Sequence, residues 1–310
     1  MPAADQRSST SSQGYVKDDR NDEVLIYVDG EFFRRHEAKV SVFDAGFVLG
    51  DGVWEGLRLV NGRLISEDEH MKRLYEGANA IRLDIGMTKE ELLGAVRATL
   101  DRNGMTDGAH IRLMVTRGVK TTPNQDPRFA TGRATIVIVA EYKKPDPGQK
   151  AKGLSLFTSA IRCSGPDVFD LRLNSHSRLN FIQALIQAIE AGADEALMLD
   201  PLGFVASCNS TNFFIVRGNE LWTSTGRFNF KGITRQKIID LYAGDGGRVR
   251  ETDFTLAEVY SADEAFVTGT LGGVTPVRRI DGRHIGAHRP GPVTAHIAEL
   301  YARYVQGPSA

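Results

Sequence analysis

Alternating apolar and polar positions begin at Val24 and predict paired strands. The run VLIYVDGEFF predicts two strands joined at Asp29–Gly30. The runs VWEGLRLV and RLI flank Asn61–Gly62, a dipeptide suited to the positive φ angles of a tight turn. The repeating apolar positions of 67–83 and 89–103 predict two amphipathic helices. Two hairpins followed by two helices indicate a domain of mixed α and β structure.

Two further strand-like runs, HIRLMVTRG and ATIVIVAEY, complete this first α+β domain, which we place at 22–145. The polar stretch that follows predicts a linker at 146–153. Residues 1–21 are polar and lack an apolar segment, so we expect a disordered tail there rather than a secretory signal.

The second half, 154–310, predicts a larger domain. In 178–191, apolar residues recur every three or four positions, which predicts a helix that faces the core with Leu179, Ile182, Ile186 and Ile189 and ends at Gly192. Short strand-like runs separated by tight turns follow, and they leave little room for crossovers, so the sheet should be mostly antiparallel. Helices are predicted at 235–242 and 293–304.

Composition and charge exclude several classes of function. The 310 residues include 38 basic and 39 acidic side chains, and this balance leaves no positive field for nucleic acid. No apolar run is long enough to span a membrane. Cys163 and Cys208 are far apart, which argues against a disulfide framework or a zinc site and fits a reducing, cytoplasmic setting.

Three short segments could bind an anion. Gly232-Ile233-Thr234-Arg235 opens a predicted helix, where unpaired N–H groups and the helix dipole attract negative charge. The small-residue turn 268–273 follows a strand and exposes backbone donors. Arg58 lies within an apolar strand, where a buried charge needs a partner. Each has an ordinary structural alternative, respectively a helix cap, a bend and a salt-bridged arginine.

Taken in order, these segments and their neighbours resemble the fold-type IV pyridoxal phosphate enzymes. This family includes branched-chain aminotransferases, D-amino acid aminotransferases and aminodeoxychorismate lyases. The resemblance runs from Val24 to about Val305 through YVDGEF, AKVSVFDAGFVLGDGVWEGLRL, EAGADEALMLD, GFV, NFFIVRGNEL, GITR, DEAFVTGT, VTPVRRIDGR and GPVT. It implies an α+β fold of two domains with the ligand between them, and a homodimer or larger homo-oligomer.

The resemblance also implies how pyridoxal 5'-phosphate would be held. Family members bind the cofactor phosphate with an arginine at the position of Arg58 and with a glycine-isoleucine-threonine turn. They also use a threonine after the next strand. The corresponding residues here are Gly232, Ile233 and Thr234 in the turn and Gly269 and Thr270 after the strand. Charge-assisted hydrogen bonds from such groups suit a dianionic phosphate.

Two positions depart from the family pattern. The lysine that forms the Schiff base with the cofactor falls on Asn174, and an amide cannot form that bond. The glutamate that keeps the pyridine nitrogen protonated falls on Ser207, which can hydrogen-bond the nitrogen but carries no charge. No lysine lies between Gly153 and Phe230, so a small alignment error does not restore one. Pyridoxal phosphate, if bound, is therefore expected to be held without a covalent link.

Other side chains near these positions are candidates with competing interpretations. Lys231 precedes the phosphate turn but suits a surface role at a strand end. Arg178 could face the ligand as an anion-binding group, and His176 could titrate near neutral pH or be an ordinary loop histidine. Arg128 loosely matches a loop arginine that binds the substrate carboxylate in the family. Cys208 could line the site as a small apolar side chain.

The sequence therefore leaves three hypotheses. The first is an aminotransferase-like enzyme that uses pyridoxal phosphate on a small branched or aliphatic amino acid or keto acid. The second is a lyase, isomerase or hydrolase that binds pyridoxal phosphate non-covalently or another phosphorylated metabolite, with His176, Arg178 and Ser207 supplying the polar groups. The third is a non-catalytic protein that binds pyridoxal phosphate or another phosphorylated metabolite. The breadth of the resemblance favours the first.

Overall fold

The strands and helices occupy most of residues 11–287 and 290–307, which a computed structural model of the protein describes. The strands are β1 (Tyr15–Val16), β2 (Leu25–Val28), β3 (Glu31–Arg34), β4 (Gly52–Val60), β5 (Arg63–Leu64), β6 (Ala109–Thr116), β7 (Thr135–Tyr142), β8 (Lys144–Pro145), β9 (Leu154–Thr158), β10 (Glu195–Leu199), β11 (Val205–Cys208), β12 (Asn212–Arg217), β13 (Glu220–Thr223), β14 (Arg248–Glu251), β15 (Glu264–Gly269), β16 (Gly273–Ile280) and β17 (Arg283–His284). The helices are α1 (Ala45–Leu49), α2 (Glu67–Ala80), α3 (Lys89–Arg102), α4 (Pro147–Lys152), α5 (Leu179–Glu190), α6 (Ile233–Gly244), α7 (Leu256–Tyr260) and α8 (Pro292–Gln306).

The chain divides into two compact units. The first consists of residues 17–144 together with 173–178, and the second contains the described parts of 1–16, 145–172 and 179–310. The sequence places the boundary at 145/146, and the first segment of the first unit ends at Lys144. Segment 173–178 departs from the prediction because its backbone bonds to β4: Ser175 bridges to Val53, and the Trp54 N–H donates to the Asn174 carbonyl at 2.9 Å.

The first unit is a six-stranded antiparallel sheet in the order β3-β2-β7-β6-β4-β5, packed against α2 and α3. The predicted turns are present, since Asp29 and Asn61 have φ angles of 50° and 49° and each precedes a positive-φ glycine. Thr88 caps α3 through a capping box with Glu91. Alternation along β4 sends Leu57 to the helix-covered core and its neighbours to the other face.

The second unit contains a mixed sheet in the order β11-β10-β9-β16-β15-β12-β13-β14, with β17 beside β16. Most of its neighbouring strands are antiparallel, as the short turns predict, although β9 pairs in parallel with both β10 and β16. Helix α5 packs on β9 and β10, while α6 and α8 pack against each other and against β15. Most of the predicted linker is helix α4.

The orientation predicted for α5 is wrong. Its buried side chains are Phe181, Ala184 and Ala188, whereas the large aliphatic residues Leu179, Ile182, Ile186 and Ile189 are between 39% and 67% exposed. The helix has two apolar faces, and the smaller side chains face the sheet, where they allow a close approach. The periodicity identified a helix correctly but could not tell which apolar face the sheet covers.

The disordered tail predicted for 1–21 is also wrong from residue 11 onward. Residues 19–22 form a 3₁₀ helix, and the side chains of Ser12 and Asn21 are buried. The Asn21 amide donates to the Tyr142 carbonyl and accepts from the Tyr142 N–H. These bonds satisfy the polar groups that suggested disorder. Residues 1–10 lie outside the described residues.

Within residues 11–287 and 290–307, no helix combines the length and the apolar character needed to cross a membrane.

Candidate active site

The turn before α6 leaves backbone N–H groups that could bind an anion. Gly232 is the N-cap, and no side chain caps the helix. The N–H groups of the first helical turn therefore have no intrahelical acceptor. The Asn212 carboxamide oxygen accepts the Gly232 N–H at 3.2 Å. A Cβ at position 232 would lie only 2.3 Å from that oxygen, so the close approach requires glycine.

Ser207 belongs to the same hydrogen-bonded group. Its hydroxyl donates to the Thr211 carbonyl at 2.8 Å and accepts from the Asn212 amide at 3.3 Å. The Asn212 amide also donates to the Phe230 carbonyl at 2.7 Å. The structure thus brings Ser207 and the turn at Gly232 together through Asn212, a residue that the sequence analysis did not single out.

The strand-end turn at Gly269 and Thr270 lies at the end of β15. Thr268, on β15, is the register partner of Asn212 on β12, so the two side chains lie on the same face of the sheet. The Thr268 hydroxyl is buried and has no hydrogen-bond partner within the described part of the chain. An unpartnered hydroxyl beside Asn212 is a polar group that a ligand could satisfy.

Asn174 lies in the first unit and is buried against β4. Its amide donates to the Trp54 carbonyl at 2.6 Å, and its carboxamide oxygen accepts from Arg178 at 2.5 Å. Arg178 also donates to the Ser175 carbonyl at 3.1 Å. The structure thus brings Asn174 and Arg178 together, and the arginine anchors the asparagine.

His176 is held beside the same strand by its backbone N–H, which donates to the Gly52 carbonyl at 3.0 Å. Burial, together with the positive charge of Arg112, lowers the pKa of His176 to about 4. Its Nε2 is buried without a hydrogen-bond partner in the described residues. At neutral pH His176 is thus a neutral imidazole, rather than the group titrating near pH 7 that its side chain alone suggested.

Arg58 and Arg112 occupy one face of the sheet in the first unit. Arg58 pairs with His110, and Gly56 pairs with Arg112, across β4 and β6. The Arg112 guanidinium lies 3.3 Å from the centroid of the Trp54 ring, and burial lowers the pKa of Arg112 to about 10. Arg112 was missed in the sequence, although a charged residue inside the apolar run HIRLMVT could have marked it.

Glu55 faces the helix-covered side of β4. Both its oxygens accept from the Arg73 guanidinium at 2.7 Å, and the His70 ring nitrogen lies 2.6 Å from Oε2. Burial alone would raise the pKa of Glu55, but Arg73 and His70 outweigh it and lower the pKa to about 2. This buried cluster was also missed, and it supports the strand that carries Trp54 and Arg58.

The remaining candidate residues are Arg128, Cys208 and Lys231. Arg128 is 87% exposed and bonds to Asp126, so no observed contact assigns it a ligand-binding role. Cys208 is fully buried in the core of the second unit with Phe213 and Ile215. Lys231 directly precedes Gly232 in the sequence, and its side chain packs against Gly226.

Comparisons with known proteins identify the family of the chain. The family model Amino-transferase class IV matches residues 52–280. The putative branched-chain-amino-acid aminotransferase of Methanocaldococcus jannaschii is 41% identical, over 90% of this chain and 95% of that protein. Branched-chain-amino-acid aminotransferase-like protein 2 of Arabidopsis thaliana is 38% identical over 93% of this chain. This chain spans about half (51%) of the length of the Arabidopsis thaliana relatives that it matches.

Among solved structures, the branched-chain aminotransferase of the archaeon Thermoproteus uzoniensis with norvaline superimposes with a TM-score of 0.82. It is 32% identical, and the match covers 91% of this chain and 95% of that chain. The fold-type IV architecture expected from the sequence is therefore confirmed.

We predict that Glu55→Gln lowers the free energy of unfolding at pH 7 by about 3 kcal/mol or more, because it leaves the Arg73 charge without its buried partner. The folded-state pKa of Glu55 lies below its ordinary 4.5, so the ion pair stabilises the protein above that pH and loses its effect as pH falls towards 2. In urea unfolding, the difference in the free energy of unfolding between wild type and variant should be smaller at pH 3 than at pH 7.

The control is Glu67→Gln, which removes an exposed ion pair with Arg97 and should cost less than about 1 kcal/mol. An equal effect of the two substitutions would contradict the assignment.

Proposed function

Because this chain belongs to the class IV aminotransferases, we propose that it binds pyridoxal 5'-phosphate without a covalent link and acts on a small branched or aliphatic amino acid or keto acid. The turn at Gly232, which has no side-chain cap and is held by the Asn212 carboxamide that also donates to Ser207, is the observation that carries the proposal. The aminotransferase names of the relatives favour transamination over the lyase, isomerase, hydrolase or simple binder also considered from the sequence.

The residues present fit part of the cofactor. The N–H groups of Ile233 and Thr234 suit a phosphate, as does the unpartnered hydroxyl near them on Thr268. We assign Arg58, Gly269 and Thr270 to the same phosphate on the resemblance. Ser207 suits a protonated ring nitrogen, since its oxygen can accept a further hydrogen bond. The side chain at Asn174 does not fit covalent attachment, because an amide nitrogen is not nucleophilic and this one is hydrogen-bonded.

When bound, pyridoxal phosphate supplies an aldehyde and an electron-accepting ring for amino-group exchange. The protein's own contribution is to bind and orient. Asn174 cannot shuttle a proton, and Arg178 stays protonated at ordinary pH. His176, with a pKa of about 4, is neutral at pH 7, and its buried Nε2 has no hydrogen-bond partner in the described residues. Transamination without a lysine should therefore be slow compared with that of lysine-containing relatives.

The proposal is tested by visible spectra of the purified protein with and without pyridoxal phosphate, followed by a screen of amino donors with keto-acid acceptors. Reversible spectral change together with measurable transamination supports it. Reversible binding without turnover would indicate a binder or another reaction, and no spectral change would overturn the assignment of the cofactor.

We predict that Arg58→Ala weakens binding of pyridoxal phosphate by more than tenfold, or about 1.4 kcal/mol, because a charge-assisted hydrogen bond to phosphate is lost. Arg102→Ala is the matched control, since that guanidinium lies over the Phe32 ring of the same unit at 5.0 Å. Titration followed by absorbance measures both variants. Unchanged affinity in Arg58→Ala would remove Arg58 from the phosphate site.

A second variant tests the position assigned to the missing lysine. We expect Asn174→Lys to give a borohydride-stable link between residue 174 and pyridoxal phosphate, located by peptide mapping. Nearby Arg178 should lower the pKa of the new amine and favour its nucleophilic form. The exposed residue Ser177 provides the control, and Ser177→Lys should not be labelled above background. Labelling of another lysine in the wild-type protein would show that position 174 is misassigned.

We also propose a homodimer, with the exposed aliphatic face of α5 as part of the interface. This face consists of Leu179, Ile182, Ile186 and Ile189. A contiguous apolar stripe of this kind is unfavourable in water and is typical of protein contacts.

The double variant Ile182→Glu/Ile186→Glu should shift the protein towards a smaller species in size-exclusion chromatography with light scattering, because it would bury charge in the interface. Gln183→Glu adds a charge at an exposed position of the same helix and should leave the mass unchanged. A monomeric wild type, or a double variant of unaltered mass, would exclude this face as the interface.

A further inference from the structure

Glu195, the first residue of β10, is a buried carboxylate in the second unit. Its Oε1 accepts the backbone N–H of Ser12 at 2.8 Å, and its Oε2 accepts from the Thr211 hydroxyl at 3.1 Å. No basic side chain in the described residues forms a salt bridge with it. A buried carboxylate without a cation is costly, and only hydrogen bonds offset the cost here. Such a group orients the donors that bond to it rather than stabilising the fold.

Thr211 connects Glu195 to Ser207 through its hydroxyl and its carbonyl. The Thr211 hydroxyl donates to Glu195 Oε2, so the buried carboxyl group sets the direction of that hydroxyl. The Thr211 carbonyl accepts both the Ser207 hydroxyl at 2.8 Å and the Cys208 N–H at 2.9 Å. The next residue, Asn212, continues to the N–H of Gly232. Thr211 thus links Glu195 to Ser207, while Asn212 bonds separately to the turn at Gly232.

The same hydrogen bonds set the polarity of Ser207. Its proton points to the Thr211 carbonyl, so its remaining lone pairs face the Asn212 amide and any ligand. Ser207 is therefore an acceptor in this arrangement, which suits a ligand group that donates a hydrogen bond, such as a protonated ring nitrogen. Loss of the Glu195 contact would free Thr211 to shift and would disorder this alignment.

The amino-terminal segment completes the arrangement. The Ser12 carbonyl would lie 2.7 Å from a Cβ at position 272, so residues 12–13 cover the turn that follows Gly269. The Thr211 methyl lies close to the same turn, 3.3 Å from a Cβ position at Gly269. Glu195 thus joins the segment at Ser12 to Thr211, and both pack on the turn proposed to bind phosphate.

We propose that Glu195 is a positioning residue that, through Thr211, holds Ser207 as a hydrogen-bond acceptor for the bound ligand, with Ser12 as its second anchor. This inference rests on the proposed function, because the ligand is the one assigned there. It extends the site to residues that do not touch the ligand themselves.

The test compares pyridoxal phosphate with inorganic phosphate as probes for Thr211→Val, which keeps the shape of the side chain and removes its hydroxyl. We expect at least fivefold weaker binding of pyridoxal phosphate and less than a twofold change for inorganic phosphate, because the contact proposed for Ser207 is with the ring nitrogen and not with the phosphate. Thr211→Ser, which keeps the hydroxyl, should restore wild-type affinity. The matched control is Thr223→Val, which removes a buried hydroxyl bonded to the Phe213 carbonyl in the same sheet.

Amide hydrogen exchange without ligand supplies the second measurement. Thr211→Val and Glu195→Gln should both raise exchange in peptides covering 11–16 and 204–213, whereas Thr223→Val should not. Ser12→Pro, which removes the donating N–H, should raise exchange in 204–213, and Ser12→Ala, which keeps it, should not.

The outcomes separate the two proposals. A wild type that binds neither probe overturns the proposed function, and the exchange data then decide the positioning role alone. A wild type that binds pyridoxal phosphate while Thr211→Val binds it equally well overturns the role of Glu195. Equal weakening for both probes, or no rescue in Thr211→Ser, also overturns it, because either result indicates a purely structural effect.

Discussion

The Asn212 carboxamide is the contact on which the candidate site depends. Its oxygen holds the backbone of Gly232, while its amide bonds to Ser207 and to the Phe230 carbonyl. A single planar group thereby fixes the start of α6 relative to β11 and β12. Because the N–H groups at a helix start bind an anion only when they are correctly directed, this amide matters for the site that we propose there.

Asn174, at the position that we assign to the family lysine, has its own hydrogen-bonded role in the first unit. Asn174 uses its amide to bond to β4 and to Arg178, contacts that a lysine could not make in the same way. Burial of two polar groups is tolerated because each has a partner. Both polar groups of the Asn174 side chain are therefore satisfied within the first unit.

The two units differ in how they manage buried charge. In the first, Glu55 is matched by Arg73 and His70, and its pKa falls. In the second, Glu195 has only neutral donors; burial raises its pKa, and the bonds from Ser12 and Thr211 oppose the rise. The first carboxylate forms part of the structural support of β4, whereas the second directs a hydroxyl. Similar residues thus have different roles because their partners differ in charge.

The sequence by itself determined the helices and strands whose cause is local. Asp29–Gly30 and Asn61–Gly62 specify tight turns, Thr88 with Glu91 specifies a helix start, and the ordered motifs specify the family. Only the tertiary structure decided which face of α5 is covered, that residues 11–21 are ordered, and that His176 is neutral. It also brought Glu195, Thr211 and Ser12 together, although Ser12 and Glu195 are 183 positions apart in the chain. Burial and hydrogen bonding between distant segments set these properties, and such contacts leave no periodic or local pattern in the sequence.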